Sequence, residues 1–255
     1  MKRLLLFLLF VASLPAAQWS ADPWGYVSGL LGMGQIGLPF PGPGMNISGG
    51  SAPALLHSAN VSSITSTSVT VTIPATSAGD MLVVWGAASG NSLVAPTQGA
   101  NTFSTVYDGG CPYGGTGCGL FYLPSISAGI TSVICPVSTY IAISCTVGEF
   151  SMGSLSSVLD RHPVNASGST SPFSSTATGS LGASAELAIG LVAGQPNTST
   201  IALTGSWIPV LGNFTEGVQI SQSGYQVVSS NATLQYTGTI SGSVTTWGAL
   251  VATFK

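Results

Sequence analysis

"TSVTVTIP" (Thr67–Pro74) decides the fold class. Val69, Val71 and Ile73 fall on one side of an extended chain, and the hydroxyls of Ser68, Thr70 and Thr72 fall on the other. That alternation has the two-residue period of a strand with one buried face, and Pro74 stops it. The pattern continues outward. "DMLVVWGAA" (Asp80–Ala88) is apolar on both faces, as a central strand requires. "TSVICPV" (Thr131–Val137) and "YIAISCTVGEF" (Tyr140–Phe150) flank Ser138-Thr139 and read as a hairpin. "AELAIGLVAG", "GVQISQ", "GYQVVSS", "ATLQYTG" and "VTTWGALVATF" carry the series to the C-terminus, with Gly, Asn, Ser and Pro clusters between them. No segment sustains a 3.6-residue period with caps. Short strands with turns roughly every 8 to 12 residues predict an all-β sandwich or barrel. "GDMLVVWGAASG" and "SAELAIGLVAGQ" echo one another, with Leu82 and Leu187 lying 105 positions apart. Either the chain holds two related halves, as a double Greek key would, or two apolar strands look alike.

The first residues predict an export signal. Lys2 and Arg3 precede an apolar run from Leu4 to Ala12, too short to span a bilayer, and Pro15-Ala16-Ala17 supplies small residues for cleavage before Gln18. Residues 18–51 form a Gly/Pro-rich leader or linker, and residues 52–255 form the β domain. No later segment is long and apolar enough to predict a membrane span. After residue 17 the only cations are Arg161 and Lys255, against seven acids. A nucleic-acid binder needs several cations to displace counterions, so that class is excluded. Anionic membrane surfaces are disfavoured on the same ground. The chain is 45% hydrophobic, enough for a core. Its exposed faces must therefore be hydroxyl- and amide-rich, suited to secretion or the cell surface and to self-association.

The order "AGDMLVVWG", "ANTFSTVYD", "LFYLPSISAGITSVIC", "STYIAISCTVGEFSM", "WGALVATFK" resembles a domain that recurs in secreted bacterial proteins of unassigned function. The resemblance covers about residues 55–255 and rests on the order of loose motifs. It implies a concanavalin-like jelly roll, an antiparallel two-sheet β-sandwich. It carries no catalytic motif. The Cys-bearing insert after Tyr107 and Met152 in "EFSMG" depart from the pattern.

An exported chain with four cysteines predicts two disulfides. Cys111 and Cys118 lie close across a flexible Gly-rich loop. Cys135 and Cys145 share strand parity with Val133, Val137, Ile143 and Val147, so both should face inward. The expected pairs are Cys111–Cys118 and Cys135–Cys145. No zinc-like ligand spacing is present, and neither a metal nor a cofactor is called for. On the stapled tip, Tyr113 above Asp108 either stacks on the C–H face of a sugar or simply covers the disulfide.

Catalytic signatures are sparse. No G-x-S-x-G elbow occurs. In "LDRHP" (Leu159–Pro163), Asp160 and His162 would share a face of a strand. They form either an orienter–base dyad or, as the plainer reading, an ion-pair group at a strand end. Glycosidases need two carboxylates, and Glu149 stands alone in sequence, with partners conceivable only across the sheet at Glu186 or Glu216. As a rule such a Glu at a strand end sits in water. Calcium would draw on Asp80 and Asp108, without a dense acidic loop to hold it. Six of the eight asparagines lie in N-x-S/T sequons, which read as glycan sites or as turn chemistry according to the host.

The expectation is a secreted, non-catalytic binding, adhesion or envelope module whose partners are glycans, cell-surface components or copies of itself. Ligand-binding candidates are Tyr113, Asp108 and Glu149. The alternatives are a carbohydrate-binding or glycoside-hydrolysing jelly roll, and a virus-encoded structural jelly roll.

Overall fold

The computed structural model describes residues 51–89, 93–110, 116–162, 166–183, 185–217 and 219–255. The expected signal peptide at 1–17, nearly all of the leader, Cys111 and Tyr113 lie outside the described residues. Within them the chain is all-β and antiparallel, with no helix. Its first half contains β1 (Ala54–Thr72), β2 (Met81–Ser89), β3 (Thr97–Gln98), β4 (Asn101–Thr102), β5 (Ser104–Gly110), β6 (Thr116–Leu123) and β7 (Ser132–Ser151). The second half contains β8 (Leu159–Arg161), β9 (Ala166–Gly168), β10 (Phe173–Ser174), β11 (Glu186–Gln195), β12 (Thr200–Leu203), β13 (Ile208–Pro209), β14 (Phe214–Glu216), β15 (Gln219–Val228), β16 (Thr237–Ser241) and β17 (Thr246–Phe254).

The strands form three sheets, where the sequence reading expects two. The first sheet runs β4-β3-β7-β2-β6-β5, with β1 also on β7. It is built on a doubled-over strand. The expected hairpin about Ser138-Thr139 is instead one continuous strand, β7, because both of its parts pair with β1 rather than with each other. The ribbon bends so sharply that Cys135 and Cys145, both on β7, have Cα atoms 6.4 Å apart and form the expected disulfide. Register shifts in β1 between Ser63 and Ser68 sit opposite this bend, as bulges do where a strand turns a corner. Across the bend the partner on the other edge of β7 changes from β2 to β3. The sheet thus curls around Val71, Val84, Phe121, Val133 and Val147.

The second half repeats this plan. In the first, β2 lies between β7 and β6; in the second, β11 lies between β17 and β15. There β16 and β17 take the place of the two arms of β7, and β8, β9 and β10 take the place of β1. β12 stands for β3, β15 for β6, and β13 and β14 for β5. The registers agree residue by residue. Phe150 pairs with Met81 and Leu55, while Phe254 pairs with Leu187 and Leu159. Tyr122 pairs with Ser104, while Tyr225 pairs with Ile208. Even the loop ties recur. Thr76 N–H donates to Ile130 O and Thr76 Oγ1 accepts from Ile130 N–H; Thr178 does the same with Leu234. The chain therefore holds two equivalent halves with β2 and β11 as their central strands, but the register matches Met81, not Leu82, with Leu187, one residue off the echo read in the sequence.

The two halves pack through a shared core containing Met81, Val83, Trp85 and Phe150 from one and Leu187, Ile189, Leu191 and Phe254 from the other. The contact is reciprocal. Tyr122 meets Phe254 with ring centroids 5.1 Å apart, and Phe150 meets Tyr225 at 5.5 Å. Residue i touching j while its equivalents do the same in reverse is the mark of an isologous interface, here within one chain. The second half has its own inner core around Phe173, Val192, Tyr236 and Trp247. Gly190 makes room for it, since a Cβ there would lie 2.1 Å from the Tyr236 ring.

Two further expectations are corrected. "GVQISQ" and "GYQVVSS" are one strand, β15, which passes through Gly224 without a turn. Residues 54–66 are strand, although their small inward residues, Ala59 and Val61, give too weak an alternation to read as one.

Candidate functional site

Glu149 anchors the one interlocked group of acids and histidine among the described side chains. It lies on β7 between β1 and β2, and its parity with Cys145 and Val147 turns it into the first half rather than out to water. It is fully buried, which corrects the expectation of a solvated strand end. Its partners arrive from three elements. His57 is directly opposite on β1, and its Nδ1 lies 2.5 Å from Glu149 Oε2. The loop after β1, held by Thr76 to the loop before β7, aims the Ser77 N–H at Oε1 at 2.9 Å. Asp80, one residue before β2, brings its carboxyl group beside that of Glu149, near enough to shift its own pKa.

The Asp80 carboxyl is raised above its ordinary range, first by burial, then by the neighbouring Glu149 carboxyl and its negative charge, with His57 opposing. Asp80 Oδ2 meets no N–H or O–H donor among the described residues, consistent with a carboxyl that keeps its proton. His57 Nδ1 is the donor to Glu149, which leaves Nε2 for solvent, and the side chain is 35% exposed. Glu149 itself has no surface for a substrate to reach. Among the described residues no three His, Cys, Asp or Glu side chains are arranged to hold a metal ion.

The equivalent positions in the second half carry Arg161, Thr253 and Glu186. Glu186 Oε1 accepts the Ala183 N–H at 2.9 Å, while Glu186 Oε2 and Thr253 Oγ1 are buried without partners among the described residues. Arg161 turns away to Ser180 O and Asp160. The interlocked group thus belongs to one half only.

Glu149 contacts neither Glu186, which serves the other half, nor any described atom of Glu216, whose side chain lies outside the described ones. Asp160 does not pair with His162, which is exposed. It binds Lys255 Nζ at 2.5 Å, Arg161 Nε at 3.3 Å and the Gly182 N–H at 2.8 Å. The Lys255 hydrogen bond holds the Asp160 carboxyl below its ordinary range against the opposing effect of burial, with help from Gly182 and the charges of Lys255 and Arg161. The plainer ion-pair reading of "LDRHP" is the one that fits. Asp108 lies on β5 opposite Gly119, with its side chain outside the described ones. Cys118 is disulfide-bonded, and its expected partner Cys111 is not described. The union of His57 and Asp80 with Glu149 is absent from the sequence reading. Only the β1–β7 register, which places positions 92 apart side by side, reveals it.

Comparison with protein-family models, with curated proteins and with solved structures finds no match.

Proposed function

We propose that this chain is an exported, non-catalytic β module that works by surface contact, and that the contact element is the outer edge of β1. The observation that carries the reading is a difference between the two halves. β1 is 19 residues long, contains no Lys, Arg, Asp, Glu or Pro, and among the described residues pairs only with β7. In the second half the same course is cut into β8, β9 and β10, of 3, 3 and 2 residues, with Asp160 and Arg161 on it and Pro172 just before β10. Short strands, charges and prolines are the usual means of closing a sheet edge to other chains. One half uses them and the other does not. Ser58 Oγ donates to Val210 O, tying the start of β1 to the second half, so the open stretch runs from about Ser63 to Thr72. Ile64 stands 70% exposed on it.

The occupant is the same strand of a second copy. A neutral edge offers nothing to select a charged partner, and a chain with so few charges lacks the repulsion that keeps copies apart. Two β1 edges can meet about a two-fold axis, giving a closed isologous dimer. The non-catalytic part of the reading is supported by the sealed state of Glu149. Glycosidases keep their two carboxyls about 5 Å or more apart with the sugar between them. Here Glu149 is fully buried, its carboxyl held by His57 and the Ser77 N–H and neighboured by Asp80, with no room for a sugar between the two acids. The export part is supported by the Cys135–Cys145 disulfide.

The test is sedimentation velocity on residues 18–255 over a wide concentration range, with Ile64→Lys/Thr67→Lys alongside. The wild type should pass from monomer to dimer, and the variant should remain monomeric with an unchanged melting temperature. A wild type that stays monomeric throughout, or a variant that associates equally well, overturns the proposal.

A further inference from the structure

We infer that Asn231 is the acceptor of an N-linked oligosaccharide, an inference that rests on the export reading above. Ser and Thr make up about a quarter of the chain, so about two of the eight asparagines should fall in sequons by chance; six do. Asn46 and Asn165 lie outside the described residues, and the structure distinguishes the other four.

Asn213 and Asn197 spend their side-chain amides on the fold. Asn213 Oδ1 accepts the Ile201 N–H at 2.8 Å while its Nδ2 donates back to Ile201 O at 3.0 Å. Pairing both atoms with one residue uses the amide hydrogen that points the same way as Oδ1. A planar, trans N-glycosidic amide places the sugar carbon at that same position. A glycan on Asn213 would therefore cost the Nδ2 bond to Ile201. Asn197 Nδ2 donates to Gly217 O. Asn60 is half-buried in the middle of β1, opposite Thr146.

Asn231 differs in each respect. It lies in the connector between β15 and β16, where Asn231, Ala232 and Thr233 are all exposed. The backbone on either side is fixed, since Leu181 N–H donates to Asn231 O and Leu234 N–H to Thr178 Oγ1. Its side-chain amide makes no hydrogen bond among the described residues, so a sugar there displaces nothing. In the transfer, Nδ2 loses a proton and bonds to the anomeric carbon of an oligosaccharide carried on a polyprenyl phosphate or pyrophosphate. The bond from that carbon to the phosphate oxygen breaks, and the oxygen leaves with the electron pair.

The experiment is glycopeptide mass mapping of the full protein from its native host, in cell and exterior fractions, beside Asn231→Gln and Asn213→Gln. The Asn231 peptide should carry the mass of an oligosaccharide. The intact mass should fall by that amount in Asn231→Gln and by none in Asn213→Gln, which should instead melt at a lower temperature. An unmodified Asn231 in exterior protein overturns the inference and leaves export standing. Protein confined to the cytoplasm overturns the export reading with it.

Discussion

The reciprocal ring contacts between the halves make a quantitative demand. Phe150 and Phe254 are both fully buried at equivalent register positions in the shared core. Replacing either by Ala should cost about 3–5 kcal/mol, and the two costs should be close because the surroundings are equivalent. The sharper measurement is a pair of double-mutant cycles using Leu, which keeps the doubles folded. Phe150→Leu with Tyr225→Leu, and Phe254→Leu with Tyr122→Leu, should each show a coupling of about 0.5–1.5 kcal/mol. Tyr122→Leu with Tyr225→Leu, which share no ring contact, should show a distinctly smaller one. Urea unfolding followed by both tryptophan fluorescence and far-ultraviolet circular dichroism supplies the free energies. The two probes should coincide in a single transition, since neither half can leave without exposing the shared core. Two separate transitions, or coupling in one cycle and none in its equivalent, would refute the two-fold packing.

Glu149→Ala leaves His57, Asp80 and the Ser77 N–H facing a cavity and should cost about 3–5 kcal/mol by chemical denaturation. Glu149→Gln, of the same shape, should cost clearly less. The two aspartates should give opposite pH profiles. Asp80 holds its proton more tightly folded than unfolded, so its contribution is complete below the ordinary value of 3.8 and is lost as pH rises towards its folded pKa. Asp80→Asn should therefore gain stability over wild type as pH rises through that window, and melting scans that show no such divergence would contradict the raised Asp80 pKa. Asp160 is displaced the other way, so Asp160→Asn should destabilise at neutral pH, and the deficit should shrink as pH falls through the folded Asp160 pKa. Replacing Cys135 and Cys145 by Ala opens a link across a sequence separation of 10 and should cost about 3 kcal/mol in the chain-entropy model, read from urea midpoints.

The class of fold is legible in "TSVTVTIP" because alternation alone forces a strand with one wet face. The disulfide is legible for the same reason, since parity sends Cys135 and Cys145 to one side whether the chain forms a hairpin or a doubled-over strand. What alternation cannot supply is partnership. β7 looks like a hairpin in sequence because Ser138-Thr139 resembles a turn, and only the length of β1 decides otherwise. The site is hidden by the same limit. His57, Asp80 and Glu149 are isolated polar residues until the ladder sets them side by side. The two halves show in the sequence only as an ambiguous echo set one residue out of register, because equivalence resides in register and side-chain face rather than identity. Phe103 and Trp207 each serve an inner core, yet share no letter.

The connector between the halves has a consequence for the way the chain can be rewired. Ala54 pairs with Ser151, and Ser51 lies close to Gly153, so the chain enters the first half beside the connector. Lys255 exchanges backbone hydrogen bonds with Val158 and accepts another from Ser156 Oγ, so the second half ends beside it too. A short tether from Lys255 back to Ser51, with a cut between Gly153 and Ser156, would transpose the modules and disturb no ladder. Cargo fused directly before Ser51 or after Lys255 would emerge from the same corner of the domain.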